Sequence, residues 1–170
     1  MEPTKPRLEV SYLPLAQLAP SERNARTHSS EQIQQLVASI GAFGWTNPLL
    51  IDEDHAIIAG HGRLEAARAA GLVEVPTIAL TGLSAAQKRA LAIADNKLAL
   101  NAGWDDELLR LELSELGLEG FDLGLTGFGE DEWTDLLSEP AFGPVGEGDQ
   151  GRLDDTKTAT CPECGHEFAT

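Results

Sequence analysis

The sequence predicts a small domain of the α/β class, in the α+β arrangement of a small mixed sheet with flanking helices. Short apolar runs of strand length alternate along the chain with segments whose apolar residues recur every three or four positions. Ser-x-x-Gln patterns precede two of the helical segments and are typical of capping boxes. The 170 residues can bury one hydrophobic core. A helical segment and a flexible tail are expected after this domain.

The elements follow from these patterns in chain order. Strands are predicted where the apolar runs are short, at 8–13, 49–51, 56–59 and 75–80. Helices are predicted where the apolar spacing is three or four, at 29–40, 64–70, 85–98, 105–116 and 131–137. Glycines close the first two helices, since Gly41 and Gly44 end the first and Gly71 ends the second.

Composition divides the chain into five segments. We expect a loose N-terminus at 1–7, the domain at 8–103, an acidic helical extension at 104–137, a linker at 138–160 and a zinc-knuckle-like tail at 161–170. The linker is predicted because it is rich in Gly, Pro, Asp and Thr, a composition that is typical of flexible segments.

The net charge of −16 is unevenly distributed. Between Trp104 and Gln150 the only basic residue is Arg110, and most other basic residues precede Asn101. This excludes a protein that holds duplex DNA on a generally basic surface, because phosphate neutralisation needs clustered Lys and Arg. A local basic site remains compatible with this charge. We find no apolar run of membrane length and no signal peptide, so we expect a cytoplasmic protein without a membrane partner.

The stretch 56–71 predicts a short buried strand, a tight glycine turn and then a helix. A helix N-terminus carries free N–H groups and a partial positive charge, and it attracts phosphate. Arg63 at this terminus offers a planar fork of donors. His61, between Gly60 and Gly62, can donate, accept or bind a metal. Two interpretations stay open: a site for an anion or nucleotide phosphate, or a corner whose glycines only make the turn.

Polar and aromatic residues elsewhere are also candidates for binding. One loop contains four polar side chains, Arg23, Asn24, Arg26 and His28. Such a cluster is typical either of a binding loop or of an ordinary solvated loop. Trp45 either stacks on a base or covers the edge of the core. Asn96 has poor helix propensity, so its side chain either has a binding task or belongs to an ordinary helix end.

The tail contains Cys161, Cys164 and His166 in a C-x-x-C-G-H pattern, which predicts a Zn²⁺ site. Structural zinc takes four ligands, and the tail offers three. The fourth ligand could come from a second copy or from elsewhere in the chain, such as His28 or Asp155, or the tail could bind zinc weakly. The two cysteines do not indicate a disulfide framework.

Four motifs in order give the chain a family resemblance over residues 12–128. They are Arg-Asn-Ala-Arg-Thr-His at 23–28, Gly-Trp-Thr-Asn-Pro at 44–48, Ile-Ala-Gly-His-Gly-Arg-Leu-Glu-Ala-Ala at 58–67 and Ile-Ala-Asp-Asn-Lys-Leu-Ala-Leu-Asn at 93–101. The chain resembles the ParB/sulfiredoxin-like N-terminal domain, in the variety that is found fused ahead of phage and prophage DNA methyltransferases.

This resemblance implies a small α/β fold that binds a nucleoside triphosphate, CTP or ATP, with Mg²⁺. It assigns the phosphates to Gly60, His61, Gly62 and Arg63. It assigns the metal ion and hydrolysis to Asp95 and Asn96. The region that contacts base and sugar matches Gly44, Trp45, Thr46 and Asn47. A further ligand-facing segment matches Arg23, Asn24 and Arg26.

The chain also departs from the family pattern. His61 and Gly62 replace a Glu and the first of two arginines in the phosphate turn, so the identity of the nucleotide stays open. His61 also stands where sulfiredoxin needs a reactive cysteine, so we expect no sulfiredoxin activity. We expect no helix-turn-helix domain after residue 128, and we find no Asp-Pro-Pro-Tyr methyltransferase motif.

Three functions are compatible with these motifs. The first is a nucleotide-binding switch or weak NTPase in DNA-associated processes, such as prophage or plasmid DNA modification or partition, which contacts DNA directly or through a modification partner. The second is a phosphotransferase resembling serine kinases, or a nuclease, with His61 or Glu65 as general base. The third is a non-enzymatic acidic adaptor. The candidate catalytic residues are Asp95, His61 and Glu65, and a second copy forming a homodimer is a further candidate partner.

Overall fold

The computed structural model describes residues 7–138 and, beyond them, only the strand residues 158–160 and 167–169. Within residues 7–138, four strands and five helices confirm the predicted α/β class. They are β1 (Val10–Pro14), α1 (Ser30–Phe43), β2 (Leu49–Ile51), β3 (Ile57–Ala59), α2 (His61–Ala69), β4 (Glu74–Ala79), α3 (Ala85–Leu100), α4 (Asp106–Leu118) and α5 (Glu130–Leu137). Short 3-10 turns lie at Leu15–Gln17 and Leu123–Thr126. α1 differs from the prediction, because it continues through Gly41 and ends only where Gly44 takes a φ of +75°.

The four strands form one mixed sheet in the order β1-β4-β2-β3. β2 and β4 run parallel, with Leu50 opposite Ile78, whereas the β1–β4 and β2–β3 pairs are antiparallel. A parallel pair needs a crossover connection, and here the crossover runs through β3 and α2. The start of α2 therefore lies directly at the end of the edge strand β3.

The hydrophobic core includes side chains of β2, β3, β4 and α2. Its buried members are Leu18, Leu49, Ile51, Ile57, Leu64, Ala67 and Val75. α1 packs on α2, in which Ala66 and Ala67 are completely buried. Burying one large apolar side chain contributes roughly 1.5–3 kcal/mol. The core therefore sets the position of α2 on the sheet.

The turn between β2 and β3 is organised by Asp52, which is 8% exposed. Its Oδ1 accepts hydrogen bonds from the N–H groups of Asp54 at 3.0 Å and Ala56 at 2.9 Å. His55 takes a φ of +61°, which is uncommon for a residue with a side chain. These bonds occupy Oδ1, so Oδ2 can accept a hydrogen bond from a group outside the turn.

The segment after α3 belongs to the same compact unit as the sheet. α4 contacts α5, and the 3-10 turn between them contacts α1. Phe121 stacks on Phe43 of α1 with ring centroids 6.1 Å apart, and Trp104 packs on Phe128 at 5.6 Å. Residues 1–137 accordingly form one compact unit. No helix in the described part of the chain has the length and apolarity of a membrane span.

Residues 138–170 form a second compact unit. In it, β5 (Thr158–Thr160) pairs antiparallel with β6 (Glu167–Ala169), and Ala159 lies opposite Phe168. The predicted zinc ligands Cys161, Cys164 and His166 lie outside the described residues.

Gly60 makes the junction between β3 and α2. Its φ is +100°, in the left-handed region. A Cβ at this position would lie 2.6 Å from Leu49 Cδ2, and Leu49 is completely buried. Backbone conformation and packing therefore both exclude a side chain here.

Gly60→Ala is expected to lower the free energy of unfolding by about 3 kcal/mol, because left-handed strain adds to overpacking against Leu49. Gly41→Ala is the matched control, since Gly41 lies within α1 and its Cβ would have no neighbour within 4 Å. That substitution should stabilise the protein by roughly 0.5–1 kcal/mol. Urea unfolding followed by circular dichroism measures both changes. An unaltered unfolding free energy for Gly60→Ala would contradict the described packing.

Candidate functional site

The first turn of α2 leaves its backbone donors free. The Leu64 N–H is the first to bond within the helix, and it donates to the Gly60 carbonyl at 3.0 Å. Among the described residues, the N–H groups of His61, Gly62 and Arg63 find no protein acceptor. Because a helix N-terminus also carries partial positive charge, these three amides can bind an anion. We call residues 60–63 the anion turn.

Arg63 adds a full positive charge to the anion turn. Its side chain is partly buried, and Nη1 lies 3.4 Å from the position that a Gly60 Cβ would take. The guanidinium therefore lies close to the glycine. Its planar donors match the oxygens of a phosphate or carboxylate. Both salt bridges that the described residues form belong to Lys88, so Arg63 has no acidic partner among them.

A cavity of about 220 Å³, here called the anion cavity, includes the anion turn in its lining. The structure brings eight of the predicted site residues together there: Asn24, Arg26, Gly60, His61, Gly62, Arg63, Asp95 and Asn96. These residues come from the loop before α1, from the anion turn and from the C-terminal half of α3. Segments that are distant in the sequence thus meet at the end of β3.

Hydrogen bonds connect the loop before α1 to the anion turn. The Ser21 N–H donates to His61 Nε2 at 3.2 Å. Asn24 Nδ2 donates to the Arg26 carbonyl at 2.8 Å, and Asn24 Oδ1 accepts from the Arg26 N–H at 3.2 Å. Asn24 therefore shapes the loop and places Arg26 at the cavity.

His61 is half-buried and uncharged near pH 7. Burial lowers its pKa below the ordinary value of 6.5, and His28 lowers the pKa further, whereas Glu65 acts in the opposite direction. Because Nε2 accepts the Ser21 N–H, the neutral ring carries its proton on Nδ1. His61 therefore anchors the loop and does not supply a positive charge to an anion.

His28 also lines the anion cavity, although the sequence marked it only as a member of the polar loop and as a possible fourth zinc ligand. Its ring lies beside Gly62, where a Cβ would come within 2.9 Å of the His28 Cε1. Its Nδ1 is 2.9 Å from Gln32 Oε1, and because an amide oxygen accepts, the Nδ1–H is the donor of this bond. The i, i+4 spacing of His28 and Gln32 is the sequence signal for this contact, whereas no local pattern indicates the contact with Gly62.

Asp95 and Asn96 form the polar part of the wall that α3 contributes. Asn96 Nδ2 donates to the Ala92 carbonyl at 2.8 Å, which leaves Oδ1 for a ligand. Asp95 is exposed and offers a carboxylate. In the described part of the chain, no group of three His, Cys, Asp or Glu side chains could hold a metal. One carboxylate and one amide oxygen fit Mg²⁺ when phosphates and water supply the other ligands.

The structure does not bring five of the predicted residues into this cavity or into the larger one beside it: Gly44, Trp45, Thr46, Asn47 and Glu65. Trp45 packs partly against the core, and its Nε1–H donates to the Asn47 carbonyl at 2.8 Å. The sequence left two placements open for Trp45, stacking on a base or covering the edge of the core. The structure has the second placement. Glu65 is exposed on α2.

A larger cavity of about 870 Å³ adjoins the anion cavity, and the two share Asn24, Arg26, His61 and Asn96. Arg23, the remaining predicted residue, lines this larger cavity. The wall from α3 combines basic and apolar side chains: Lys88, Arg89, Lys97, Ala92, Ile93 and Leu100. Sequence patterns could not indicate this cavity, because it depends on how α3 lies against β3.

Lys88 connects α3 to the β2–β3 turn. Its Nζ donates to Asp52 Oδ2 at 2.9 Å and to Glu53 Oε2 at 2.6 Å. The Gly82 N–H donates to the other Glu53 oxygen at 3.1 Å. We call Lys88, Asp52 and Glu53 the ionic clamp. Sequence reasoning missed it, because the partners are far apart along the chain.

The pKa values of the clamp residues reflect these contacts. The hydrogen bond from Lys88 is the main cause that lowers the pKa of Glu53 to about 2. The bonds to Glu53 and then Asp52 raise the pKa of Lys88 to about 12. Burial raises the pKa of Asp52, but the hydrogen bonds from Lys88 and from the turn outweigh burial and lower it overall. All three side chains are therefore charged at neutral pH.

Fold and site together define a small α/β domain that presents a helix N-terminus and an arginine at one cavity. The family model for the ParB N-terminal domain matches residues 1–97, more than half of the chain, and the chain belongs to this family. The resemblance recognised from the four motifs is thus confirmed. A second family model, for the ParB-methyltransferase HTH domain, matches residues 107–163.

Two relatives illustrate the similarity. The ParB-like nuclease domain-containing protein YnaK of Escherichia coli K12 is 55% identical over 83 residues, which are 49% of this chain and 95% of that protein. The chromosome-partitioning protein ParB of Myxococcus xanthus is 35% identical over 95 residues, which are 54% of this chain and 32% of that protein. The match therefore spans about a third of the partition protein.

A solved structure shares the fold. It is the C-terminally truncated chromosome-partitioning protein ParB from Caulobacter crescentus, complexed with CTP-γ-S. The TM-score is 0.62 at 21% sequence identity, over 76% of this chain and 77% of that chain.

The match to the HTH family overturns one prediction. We expected no helix-turn-helix domain after residue 128, whereas the match runs from residue 107 to residue 163 and includes α4 and α5. The expectation failed because it relied on basic residues, which DNA-contacting segments usually carry. Between residues 104 and 150 the chain has a single arginine, so its charge gives no sign of this similarity.

The lowered pKa of His61 predicts a pH-dependent loop contact. The Ser21–His61 hydrogen bond should be complete above pH 6.5 and should be lost as the pH falls through the lower pKa of the folded state. NMR titration of the His61 ring measures this pKa, and protection of the Ser21 amide from hydrogen exchange should fall in the same range. Glu65→Gln should lower the pKa further. A pKa of 6.5 or above would contradict the described burial.

Proposed function

We propose that the chain binds a nucleoside triphosphate at the anion turn and serves as a nucleotide-dependent module in DNA-associated processes. The observation that carries this proposal is the set of three free N–H groups at the start of α2, beside the Arg63 guanidinium. Free amides, a helix dipole and a guanidinium together suit phosphate oxygens. Arg26 adds a second positive charge to the cavity lining.

Asp95 favours a ligand with Mg²⁺ over a simple anion. A carboxylate beside a bare anion repels it, whereas Mg²⁺ accepts both a carboxylate and phosphate oxygens as ligands. Bound Mg²⁺ would supply charge neutralisation between the phosphates and Asp95, and Asn96 Oδ1 would be a further ligand. The volume of about 220 Å³ suits a phosphate chain, so the sugar and base would extend beyond the anion cavity. CTP is the first candidate, since the Caulobacter protein of the same fold was solved with CTP-γ-S.

The more detailed part of the proposal is that the protein hydrolyses the bound nucleotide slowly. Asp95 is the carboxylate at the cavity, and neutral His61 can accept a proton only through Nε2, which the Ser21 N–H already occupies. Glu65, the third candidate for catalysis, lies outside the cavity lining. This arrangement supports binding and switching more strongly than rapid turnover.

Arg63→Ala should weaken nucleotide binding about tenfold or more, because a charged hydrogen bond contributes roughly 1.5–3 kcal/mol. Calorimetric titration with CTP, ATP and GTP, each with Mg²⁺, measures the affinity. Arg68→Ala is the matched control, because Arg68 is exposed in the last turn of α2 and carries the same charge. Equal affinity of Arg63→Ala and the wild type, or no binding of any nucleotide to the wild type, would refute the site assignment.

The charge of α4 and α5 favours an adaptor role as a second candidate function. Residues 104–138 contain eleven Asp and Glu residues and one Arg, and the acidic residues of α5 are exposed. Such a surface repels the phosphates of DNA. We infer that this part of the HTH-family segment contacts a protein of a DNA-modification or partition system. DNA association would then be indirect.

The isolated chain should therefore bind duplex DNA no more tightly than about 1 μM, the upper end of non-specific affinity. Fluorescence anisotropy with a labelled duplex, at physiological salt and with or without nucleotide, measures this. A triple charge reversal of Glu130, Asp131 and Glu132 to Lys should increase the affinity. Submicromolar binding by the wild-type chain would show that it contacts DNA directly.

A further inference from the structure

We propose that the ionic clamp holds α3 where Asp95 and Asn96 reach the anion cavity, which makes Lys88 a positioning residue for the bound ligand. This inference rests on the nucleotide function proposed above. It assigns a task to three charged residues that none of the predicted motifs contains.

Few other contacts hold α3 against the rest of the domain. None of its sixteen residues is buried, and its main packing partner is the edge strand β3. Large apolar side chains on the helix stay exposed, among them Ile93 at 63% and Leu98 at 66%. A helix that buries little apolar surface gains little from the hydrophobic effect. The charged contacts of Lys88 are therefore among the few side-chain contacts that hold it to the β2–β3 turn.

The geometry of the clamp suits this task. Asp52 is already oriented by two N–H groups of its own turn, so it presents Oδ2 to Lys88 in a fixed direction. Glu53 connects Lys88 to the Gly82 N–H, and Gly82 lies in the link that precedes α3. The side chains of Lys88 and Asp52 are 22% and 12% exposed, whereas that of Glu53 is 42% exposed. Water therefore screens the bond to Asp52 less than the bond to Glu53. The clamp thus joins the β2–β3 turn both to α3 and to the link before it.

The clamp and the ligand-facing residues lie on one face of the helix. Asp95 follows Lys88 by seven residues, close to two turns, and Asn96 is the next residue. With a rise of about 1.5 Å per residue, the two positions are about 10 Å apart along the helix. Gly82 before α3 has a φ of +77°, and Gly103 follows its end. Release of Lys88 would let the helix pivot between these glycines and carry Asp95 away from the anion turn.

Hydrogen exchange of the ligand-free protein tests the clamp itself. Lys88→Met should accelerate exchange in residues 85–100 about tenfold and leave α2 unchanged, since local opening is a low-energy event for a helix with few buried contacts. Arg89→Met is the matched control, because Arg89 is exposed, adjacent and without a salt bridge among the described residues. Lys88→Arg should keep the slow exchange. Unaltered exchange in Lys88→Met overturns the proposal.

Nucleotide titration tests the coupling to the site, with CTP, ATP and GTP, each with Mg²⁺. Lys88→Met should bind about tenfold more weakly than the wild type, a typical size for coupling between two sites. Arg68→Met should bind equally well, because Arg68 is exposed on α2 and lines neither cavity. Asp95→Asn should weaken binding in the wild type but add little in the Lys88→Met background. A general loss of stability would not produce this non-additivity.

The two experiments separate the possible failures. Equal affinity of Lys88→Met and the wild type, or additive effects of Lys88→Met and Asp95→Asn, overturns the positioning role. Absence of nucleotide binding to the wild type refutes the proposed function and, with it, the coupling to a nucleotide. The exchange result then still supports or overturns the attachment of α3 through Lys88.

Discussion

The left-handed backbone of Gly60 is the constraint on which the rest of the site depends. Because the chain leaves β3 and enters α2 through one residue, the first amides of the helix remain unpaired at the end of the strand. Leu49 fills the space that a side chain at this position would need. The packing of Leu49 in the core and the backbone conformation of the anion turn therefore depend on each other, and neither can change without the other.

In the proposed function, the site attracts anions mainly through short-range features of an otherwise acidic chain. Backbone amides, the helix dipole and Arg63 act at the anion turn, while His61 stays neutral and serves as an anchor. The net charge of −16 repels an anionic ligand from a distance. Salt screens this distant repulsion more than it screens partly buried contacts. Moderate ionic strength should therefore favour the approach of a polyanion to the site.

Local spacing explains which parts of the fold and the site were predictable. The N-cap at Ser29, the capping box at Ser84 and the glycine turn at 60–62 involve neighbouring residues, so their patterns are visible in the sequence. The box predicted at Ser29 is only half formed, because Gln32 Oε1 contacts His28 Nδ1. The convergence of the polar loop, the anion turn and α3 followed from family resemblance. The contact of His28 with Gly62 and the bonds of Lys88 to the β2–β3 turn depend on tertiary approach, which no local pattern records.

The placement of the three tryptophans determines what fluorescence can report. Trp45 packs at the edge of the core, Trp104 packs on Phe128, and Trp133 lies on α5. None of the three lines either cavity. A ligand at the anion turn would therefore not quench an indole by direct contact. A change in emission upon ligand binding would instead show that the surroundings of the core edge or of the helices after α3 had changed.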